Sequence, residues 1–173
     1  SKAIYKDPLF RVGLLVKIIV VILLVPKIQS EWFTPFMTMT ISDLSLDPWS
    51  SFYNSGGETK SYPYGIIMYL FHLPFVLLGM TIDHLVQVSN FSFSQLGFSL
   101  SLLTADILLC VTLSLICHKN TRRVILFYWL SPIVIYITYW HGQTDIIPIL
   151  MITSSLYLLQ INKFALSASF LGC

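Results

Sequence analysis

The sequence predicts an all-helical integral membrane protein, a polytopic helix bundle with a long extracytoplasmic first loop. Hydrophobic residues make up 55% of the chain and charged residues only 10%, whereas charged residues are about 25% of an ordinary soluble domain. Several apolar runs approach the roughly 20 residues that a helix needs to cross the hydrocarbon. The net charge of +2 gives no indication of nucleic-acid binding, because no long run of lysine and arginine accompanies it.

Four apolar runs are predicted to be complete membrane spans. They are Phe10 to Ile28, Leu96 to Cys117, Val124 to Trp140 and Ile146 to Ile161. The last two are short, so we expect them to depend on residues at the membrane interface. Basic residues precede the first run, but Glu31, Trp32 and Phe33 follow it in place of a small-residue cleavage site. This pattern indicates a retained anchor helix rather than a signal peptide.

A fifth apolar run, Gly65 to Ile82, decides the topology. His72 and Pro74 interrupt it, and we expect it to lie along the membrane interface or to re-enter it. In that case seven lysines and arginines of the N-terminus and short loops fall on one side and two on the other, as the positive-inside rule favours. The N-terminus is then cytoplasmic, and residues 29–95 form one extracytoplasmic loop with an interfacial helix. If the run spans instead, the two polar segments considered next lie on opposite faces.

Residues 1–173 are expected to form a single transmembrane domain that is part of a longer polytopic protein. The chain begins without methionine and stops within an apolar run. Membrane lipids are therefore its immediate partners. The cysteines lack metal-ligand spacing, and the acidic residues form no cluster that argues for a required metal.

The first polar segment lies in the predicted loop and contains two acidic residues, Asp43 and Asp47. Asp47 precedes Pro48, which favours an extended backbone, and Trp49 follows. A carboxylate held beside aromatic faces is a candidate base for a sugar hydroxyl, and Asp43 is the second candidate. The alternative is that Asp47 caps a short helix in which Pro48 is the first residue.

The second polar segment joins the last two predicted spans. His141, Gln143 and Asp145 alternate along an extended turn, and they offer an imidazole, an amide and a carboxylate to one cleft. Such a set suits the binding of hydroxyl groups or phosphate. A structural alternative is that Thr144 or Asp145 caps the helix that follows.

Asp106 lies in the middle of a predicted span, where an ionised carboxylate costs at least ~2.5 kcal/mol. We expect it to face the interior of the bundle and to pair with Lys17, near the middle of the first span. An ion pair that fixes helix packing is favoured over a proton relay, because a relay needs a second acidic residue within a span.

The order of these features resembles the polytopic, lipid-phosphate-sugar-dependent glycosyltransferases of the GT-C fold. The likeness is to the endoplasmic-reticulum glucosyltransferases of dolichol-linked oligosaccharide assembly and to the glycosylphosphatidylinositol mannosyltransferases with their bacterial relatives. It covers nearly the whole chain, from Phe10 to Leu171. The matching residues are Asp47 or Asp43, Tyr62-Pro63-Tyr64-Gly65, Arg122-Arg123, Ser131-Pro132 and His141-Gly142-Gln143-Thr144-Asp145.

The resemblance implies an inverting hexosyltransferase that moves mannose or glucose from a polyprenyl-phosphate sugar to a lipid-linked or glycan acceptor. Asp47, or Asp43 in its place, would take the proton of the acceptor hydroxyl. The residues expected to bind substrate are His141, Gln143, Asp145, Trp49, Tyr62 and Tyr64. Such an enzyme would lie in the endoplasmic reticulum membrane or the bacterial inner membrane, with its N-terminus in the cytoplasm. It would need no cofactor and no metal.

A second class fits the same composition. A transporter or flippase fragment, or a helical assembly subunit, would have the same apolar helices without enzymatic activity. In such a protein Lys17 and Asp106 would matter most and the loop acids least. Substitutions of Asp47 and of Asp106 therefore separate the two classes.

Overall fold

The chain is helical throughout the part that the structure describes. The computed structural model describes residues 4–43, 45–87 and 91–172. The helices are α1 (Pro8–Leu23), α2 (Thr34–Ser42), α3 (Pro48–Asn54), α4 (Ile66–Val86), α5 (Phe93–Ile116), α6 (Thr121–Val124), α7 (Pro132–Ile135), α8 (Ile146–Gln160) and α9 (Phe164–Leu171). Wider π-helical turns over Gln29–Phe33, Ile125–Trp129 and Tyr136–Trp140 precede α2 and continue α6 and α7. The predicted all-helical class is confirmed.

Two helices of the described chain, α4 and α5, are long and apolar enough to cross a membrane, with 21 and 24 residues. A third candidate is the pair Thr121–Trp129 and Pro132–Trp140, which would be one span bent by 49°. The predicted span Leu96 to Cys117 corresponds to α5. These helices are consistent with a membrane protein.

None of the other three predicted spans is a single unbroken helix of spanning length. The helix predicted over Phe10 to Ile28 ends at Leu23, because Pro26 has no amide hydrogen and disfavours a helical conformation at the residue before it. The helix predicted over Val124 to Trp140 is broken between Trp129 and Pro132, where proline starts a new helix. The run predicted over Ile146 to Ile161 forms α8, which agrees in its bounds to within one residue but has only 15 residues.

Helix α4 contains most of the apolar run Gly65 to Ile82, for which we predicted an interfacial position. It is continuous although Pro74 lies in its interior, and its length is sufficient for a span. The length of α4 therefore does not support an interfacial position. That position stays a prediction, based on the distribution of lysine and arginine between the loops. The region 29–95, predicted to be an extracytoplasmic loop with an interfacial helix, contains α2, α3 and α4.

The chain divides into two compact units. One contains Ser1–Leu24 and Leu102–Cys173, and the other contains Val25–Ser101. We call them the discontinuous unit and the central unit. The central unit includes α2, α3, α4 and the start of α5, and the discontinuous unit includes α1 and the helices after α5.

In the central unit, α4 and α5 approach each other closely at two glycines. A Cβ added to Gly79 would lie 2.1 Å from the carbonyl oxygen of Phe93, and one added to Gly97 would lie 2.2 Å from that of Phe75. Small residues at such positions let the backbones of membrane helices come together. Any side chain at either glycine would therefore push the two helices apart.

The same two helices are joined by a polar contact at one end. The carboxylate of Asp83, near the end of α4, accepts hydrogen bonds from the backbone amides of Phe93 at 2.7 Å and Ser94 at 2.9 Å. The first amides of a helix have no partner within the helix itself. Asp83 therefore caps α5 from the preceding helix.

In the discontinuous unit, α8 and α9 pack as a helical hairpin with a polar contact between them. The hydroxyls of Ser155 and Ser167 each donate to the backbone carbonyl of the other residue, both at 3.0 Å. Both serines are buried. The contact satisfies two hydroxyls on helices whose other faces are largely apolar.

Candidate functional site

The two acidic residues of the first polar segment contact adjacent serines at the start of α3. Asp47 is the N-cap residue, and its carboxylate accepts hydrogen bonds from the Ser50 amide at 3.2 Å and the Ser50 hydroxyl at 2.6 Å. The Ser51 hydroxyl donates to Asp43 at 3.1 Å. Pro48 is the first residue of the helix. The capping alternative for Asp47 is confirmed, and both candidate bases accept hydrogen bonds from neighbouring serines of α3.

The hydrogen bonds at Asp47 also favour the charged form of its carboxyl group. The side chain is exposed, and the bonds from the hydroxyl and amide of Ser50 lower the pKa of the Asp47 carboxyl below its usual range. Hydrogen bonds to a carboxylate favour the charged form. Asp47 is therefore charged at neutral pH, although a lower pKa makes it a weaker base.

An aromatic cluster joins α2, α3 and the Tyr62-Pro63-Tyr64 element. The Trp49 indole donates a hydrogen bond to the carbonyl oxygen of Tyr62 at 3.1 Å. Phe36 stacks on Tyr62, with ring centroids 4.8 Å apart and an interplanar angle of 3°. Tyr64 meets the Tyr62 ring edge-on at 5.3 Å. Three of the predicted substrate-binding residues, Trp49, Tyr62 and Tyr64, therefore lie together.

These three aromatic side chains differ in how much of their surface a ligand could contact. Tyr62 is 1% exposed, and its hydroxyl has no hydrogen-bond partner among the described residues. Burial raises the pKa of this hydroxyl, so it stays protonated. Trp49 and Tyr64 are half-buried and keep part of their surface accessible. Tyr62 thus holds the cluster together, while its two neighbours are available for contact.

A pocket of about 300 Å³ opens beside α3. Its aromatic lining consists of Phe36, Trp49, Phe52, Tyr53 and Tyr62. Its polar lining consists of Ser50, Asn54, Glu58 and Thr59. Neither Asp43 nor Asp47 is part of the lining. Asp47 is connected to the pocket through Ser50, which lines it and donates to the Asp47 carboxylate.

The turn after α3 brings Glu58 to this pocket. Gly56 has a φ of 92°, in the left-handed region that favours glycine. The amide of Gly57 donates to the carbonyl of Phe52 at 3.0 Å, which ends the helix and reverses the chain. Glu58 is not among the site residues that the sequence predicts. The two glycines were an available signal, since a glycine commonly ends a helix.

The second polar segment lies in the discontinuous unit and forms a tight turn instead of the predicted extended one. Gly142 has a φ of 82°, and the amide of Gln143 donates to the carbonyl of Ile137 at 3.1 Å. His141 is exposed, and the Nε2 atom of Gln143 lies 3.5 Å from its Nδ1 atom. The turn therefore places the amide of Gln143 beside the imidazole of His141.

The remaining residues of this segment do not cap α8 through their side chains. Asp145 precedes α8 and is exposed, but its carboxylate accepts no capping hydrogen bond. Thr144 is buried, and its hydroxyl has no partner within the described residues. The capping alternative is therefore wrong for both residues.

The two polar segments belong to different compact units. The structure brings Asp43, Asp47 and the aromatic residues together in the central unit, and it brings His141 and Gln143 together in the discontinuous unit. The shared cleft of both segments stays a prediction.

The predicted pairing of Lys17 with Asp106 is confirmed. The Lys17 ammonium donates to the Asp106 carboxylate, and neither side chain has any exposed surface. The hydroxyls of Tyr128 and Tyr139 donate to the same carboxylate at 2.7 Å and 2.6 Å. The ammonium also lies 4.0 Å from the centre of the Trp129 ring. Such a fully partnered network supports a role in helix packing.

Neither a metal site nor a family relationship indicates what the chain does. Among the residues that the structure describes, no three His, Cys, Asp or Glu side chains lie together in a way that could hold a metal ion. Comparisons with protein-family models, curated proteins and solved structures found no match. The resemblance to GT-C glycosyltransferases therefore rests on the sequence motifs alone.

Proposed function

We propose that this chain is part of a membrane hexosyltransferase of the GT-C type. It transfers mannose or glucose from a polyprenyl-phosphate sugar to a lipid-linked or glycan acceptor. The observation that supports the proposal best is the pair of carboxylates, Asp43 and Asp47, held by Ser50 and Ser51 beside an aromatic pocket. Carboxylates next to aromatic surfaces suit a polyhydroxylated substrate better than an apolar one.

In the proposed reaction the acceptor hydroxyl attacks the anomeric carbon of the donor sugar with inversion. A bond forms between that carbon and the acceptor oxygen, and the bond to the phosphate oxygen breaks. Asp47 takes the hydroxyl proton as general base, with Asp43 as the second candidate. The polyprenyl phosphate leaves as an anion. Ser50 fixes the direction of the Asp47 carboxylate through its hydroxyl.

His141 and Gln143 are assigned to the leaving phosphate, which needs hydrogen-bond donors more than a general acid. When the Gln143 amide donates to Nδ1 of His141, the imidazole proton is on Nε2, from which it can donate to a phosphate oxygen. Asp145 is assigned to a sugar hydroxyl, and Trp49 and Tyr64 to the apolar face of a sugar. These assignments require both polar segments to open on the same side of the membrane.

The proposed partners are the lipid-linked sugar donor, the acceptor and the surrounding lipids. The proposed location is the endoplasmic reticulum membrane or the bacterial inner membrane, with a cytoplasmic N-terminus. Helices α4 and α5, which are long and apolar enough to cross a membrane, support a membrane location of either kind.

The test is transfer of radiolabelled mannose and glucose from polyprenyl-phosphate donors by the full-length protein in membranes. Asn caps a helix about as well as Asp, so Asp47→Asn keeps α3 while it removes the base. We expect a loss of at least about a hundredfold, the usual contribution of general-base catalysis. Asp43→Asn is tested in parallel, and a loss confined to that variant would make Asp43 the base.

The chain provides a matched control for this variant. Asp7 also precedes a proline and caps a helix, since its carboxylate accepts from the Leu9 amide at 2.9 Å. Asp7→Asn should keep full activity. Unchanged transfer in both Asp43→Asn and Asp47→Asn, or an absence of transfer from either donor by the wild type, would overturn the proposal and favour a transporter or assembly subunit.

A further inference from the structure

The pocket beside α3 contains a carboxylate to which the proposed reaction assigns no role. Glu58 lines the pocket together with Trp49, Tyr53 and Asn54. We propose that this pocket binds one pyranose ring of the glycan substrate and that Glu58 accepts hydrogen bonds from the hydroxyls of that ring. The inference rests on the proposed function for the source of the sugar, and it adds a binding site and a specificity-determining residue.

The size of the pocket limits the ligand. Its volume of about 300 Å³ is at the lower end of the range of about 300–1,000 Å³ for small-molecule sites. About one ring fits such a volume, so most of a long prenyl chain and the further rings of an oligosaccharide would lie outside the pocket. A prenyl chain would also remove water from the Glu58 carboxylate without replacing its hydrogen bonds.

The aromatic side of the pocket is rigid at its base and accessible at its rim. Trp49 is fixed by its hydrogen bond to the Tyr62 carbonyl at 3.1 Å, and Tyr62 is stacked on Phe36. Tyr53, in contrast, is 60% exposed. Aromatic faces carry a partial negative charge and attract the weakly positive C–H groups on the flat side of a pyranose. A fixed surface also lowers the entropic cost of binding.

The polar side of the pocket offers both donors and acceptors. The Glu58 carboxylate accepts hydrogen bonds, and the Asn54 amide and the Thr59 hydroxyl can donate and accept. The Ser50 hydroxyl donates its proton to Asp47, so towards the pocket it can only accept. The hydroxyls of a sugar also donate and accept, so they match this mixture. The hydroxyl of Ser50 links the pocket to Asp47, which places the proposed base one side chain away from the bound ring.

An ammonium ligand is the main competing occupant, because aromatic rings with a carboxylate can also bind a cation. The trimethylammonium group of a ligand such as choline has no hydrogen-bond donor, so the side chains of Asn54 and Thr59 would lose water around it without gaining a partner. The polar lining therefore favours the sugar.

The experiment measures saturation-transfer NMR of methyl α-mannoside, methyl α-glucoside and choline with the full-length protein in lipid nanodiscs. Detergents with sugar head groups are excluded, because they would compete for the pocket. We expect signals from a glycoside and none from choline. The affinity should fall about tenfold in Glu58→Gln, the effect of losing a hydrogen bond to a charged group.

Two pairs of matched variants make the result specific. Tyr53→Ala should weaken binding, while Tyr5→Ala should not, although Tyr5 is 61% exposed and Tyr53 60%. Glu31 is an exposed acid that pairs with Lys27 at 3.7 Å and lies outside the pocket lining, so Glu31→Gln should bind as the wild type does. All of these side chains are exposed, and thermal unfolding of each variant checks that the fold is intact.

A choline signal without a glycoside signal, no signal from any probe, or glycoside binding that Glu58→Gln and Tyr53→Ala leave unchanged would overturn the proposal. The binding assay needs no turnover, so its failure is separable from that of the proposed function. Glycoside binding that depends on Glu58, with transfer insensitive to both loop aspartates, would support the pocket and reject the base. Transfer that depends on Asp47, with binding insensitive to Glu58, would do the reverse.

Discussion

The Lys17 ammonium and the Asp106 carboxylate form an ion pair in a place where neither side chain has any exposed surface. The hydroxyls of Tyr128 and Tyr139 complete the hydrogen bonds of the carboxylate. A buried charge is tolerated only when it is paired and hydrogen-bonded. The stability of the discontinuous unit should therefore depend on the two charges together.

We expect Asp106→Leu to destabilise the protein by about 3–5 kcal/mol, because it leaves the Lys17 charge without its partner. The double variant Lys17→Met with Asp106→Leu should recover much of this loss, since an apolar pair of similar volume is often tolerated. Unfolding temperature in nanodiscs measures both. A double variant as unstable as Asp106→Leu would show that the carboxylate is needed as the acceptor of Tyr128 and Tyr139 and not only as the partner of Lys17.

The same substitution should lower expression more than a change at the candidate base. Asp106→Leu removes a partner within the buried network, whereas Asp47→Ala removes an exposed cap. The comparison uses the amount of folded protein recovered from membranes. Equal recovery of Asp106→Leu and Asp47→Ala would be evidence against a stabilising ion pair.

The contact between α4 and α5 should not tolerate a side chain at its glycines. We expect Gly79→Ser and Gly97→Ser each to cost about 1–3 kcal/mol, the usual effect of overpacking, since the added Cβ would meet a backbone oxygen at 2.1 Å or 2.2 Å. Gly65→Ser is the control, because a Cβ at Gly65 would enter open space. Equal unfolding temperatures in all three variants would contradict the close contact.

Asp47 should make the stability of the protein depend on acid pH. Its pKa is lower in the folded chain than usual because Ser50 donates two hydrogen bonds to it. A group with a lowered pKa stabilises the folded state above its unfolded pKa, and this contribution is lost as the pH falls through the folded pKa. Asp47→Asn cannot titrate. Its unfolding temperature should therefore differ from that of the wild type at about pH 6. The difference should begin to shrink only below about pH 4, as the pH falls from the unfolded pKa towards the lower folded pKa.

A difference between wild type and Asp47→Asn that stays constant over that range would contradict the assignment. Asp7→Asn, titrated in parallel, reports how much of any change comes from removing an aspartate cap elsewhere in the chain.

The topology can be tested with single cysteines at exposed positions. Ser55, Lys119 and Asp145 are exposed, whereas Thr144 is buried and unsuitable for labelling. On a cysteine-free background we expect an impermeant maleimide to label Ser55→Cys and Asp145→Cys from outside, but not Lys119→Cys. Labelling of Ser55→Cys and Lys119→Cys without Asp145→Cys would mean that α4 crosses the membrane. In that case the two polar segments could not share a cleft.

The sequence allowed some features to be predicted because a single strong physical constraint decides them. Asp106 within an apolar run requires a partner, and Lys17 met that requirement. Asp47 before Pro48 fits a helix start, and the structure has one there. In the first case the alternative is an unpaired charge in an apolar run, and in the second it is a proline inside a helix. Both cost more free energy than neighbouring residues usually contribute.

Other features depend on contacts between distant residues, which the sequence does not display. Hydropathy does not distinguish an α-helix from the π-helical turn over Tyr136–Trp140, since it depends on composition and not on the hydrogen-bond pattern. Glu58 has no motif around it, and it becomes a pocket residue only because the turn at Gly56 reverses the chain. The end of α1 at Leu23 could have been predicted from the sequence, because Pro26 follows it closely.

The reciprocal hydrogen bonds of Ser155 and Ser167 bear on how the chain enters a bilayer during synthesis. A helix that arrives alone would expose its serine hydroxyl to hydrocarbon, where a polar group without a partner is costly. When α8 and α9 arrive together, each hydroxyl already has its acceptor. We therefore expect α8 and α9, which have 15 and 8 residues, to enter a bilayer as one hairpin and not one after the other.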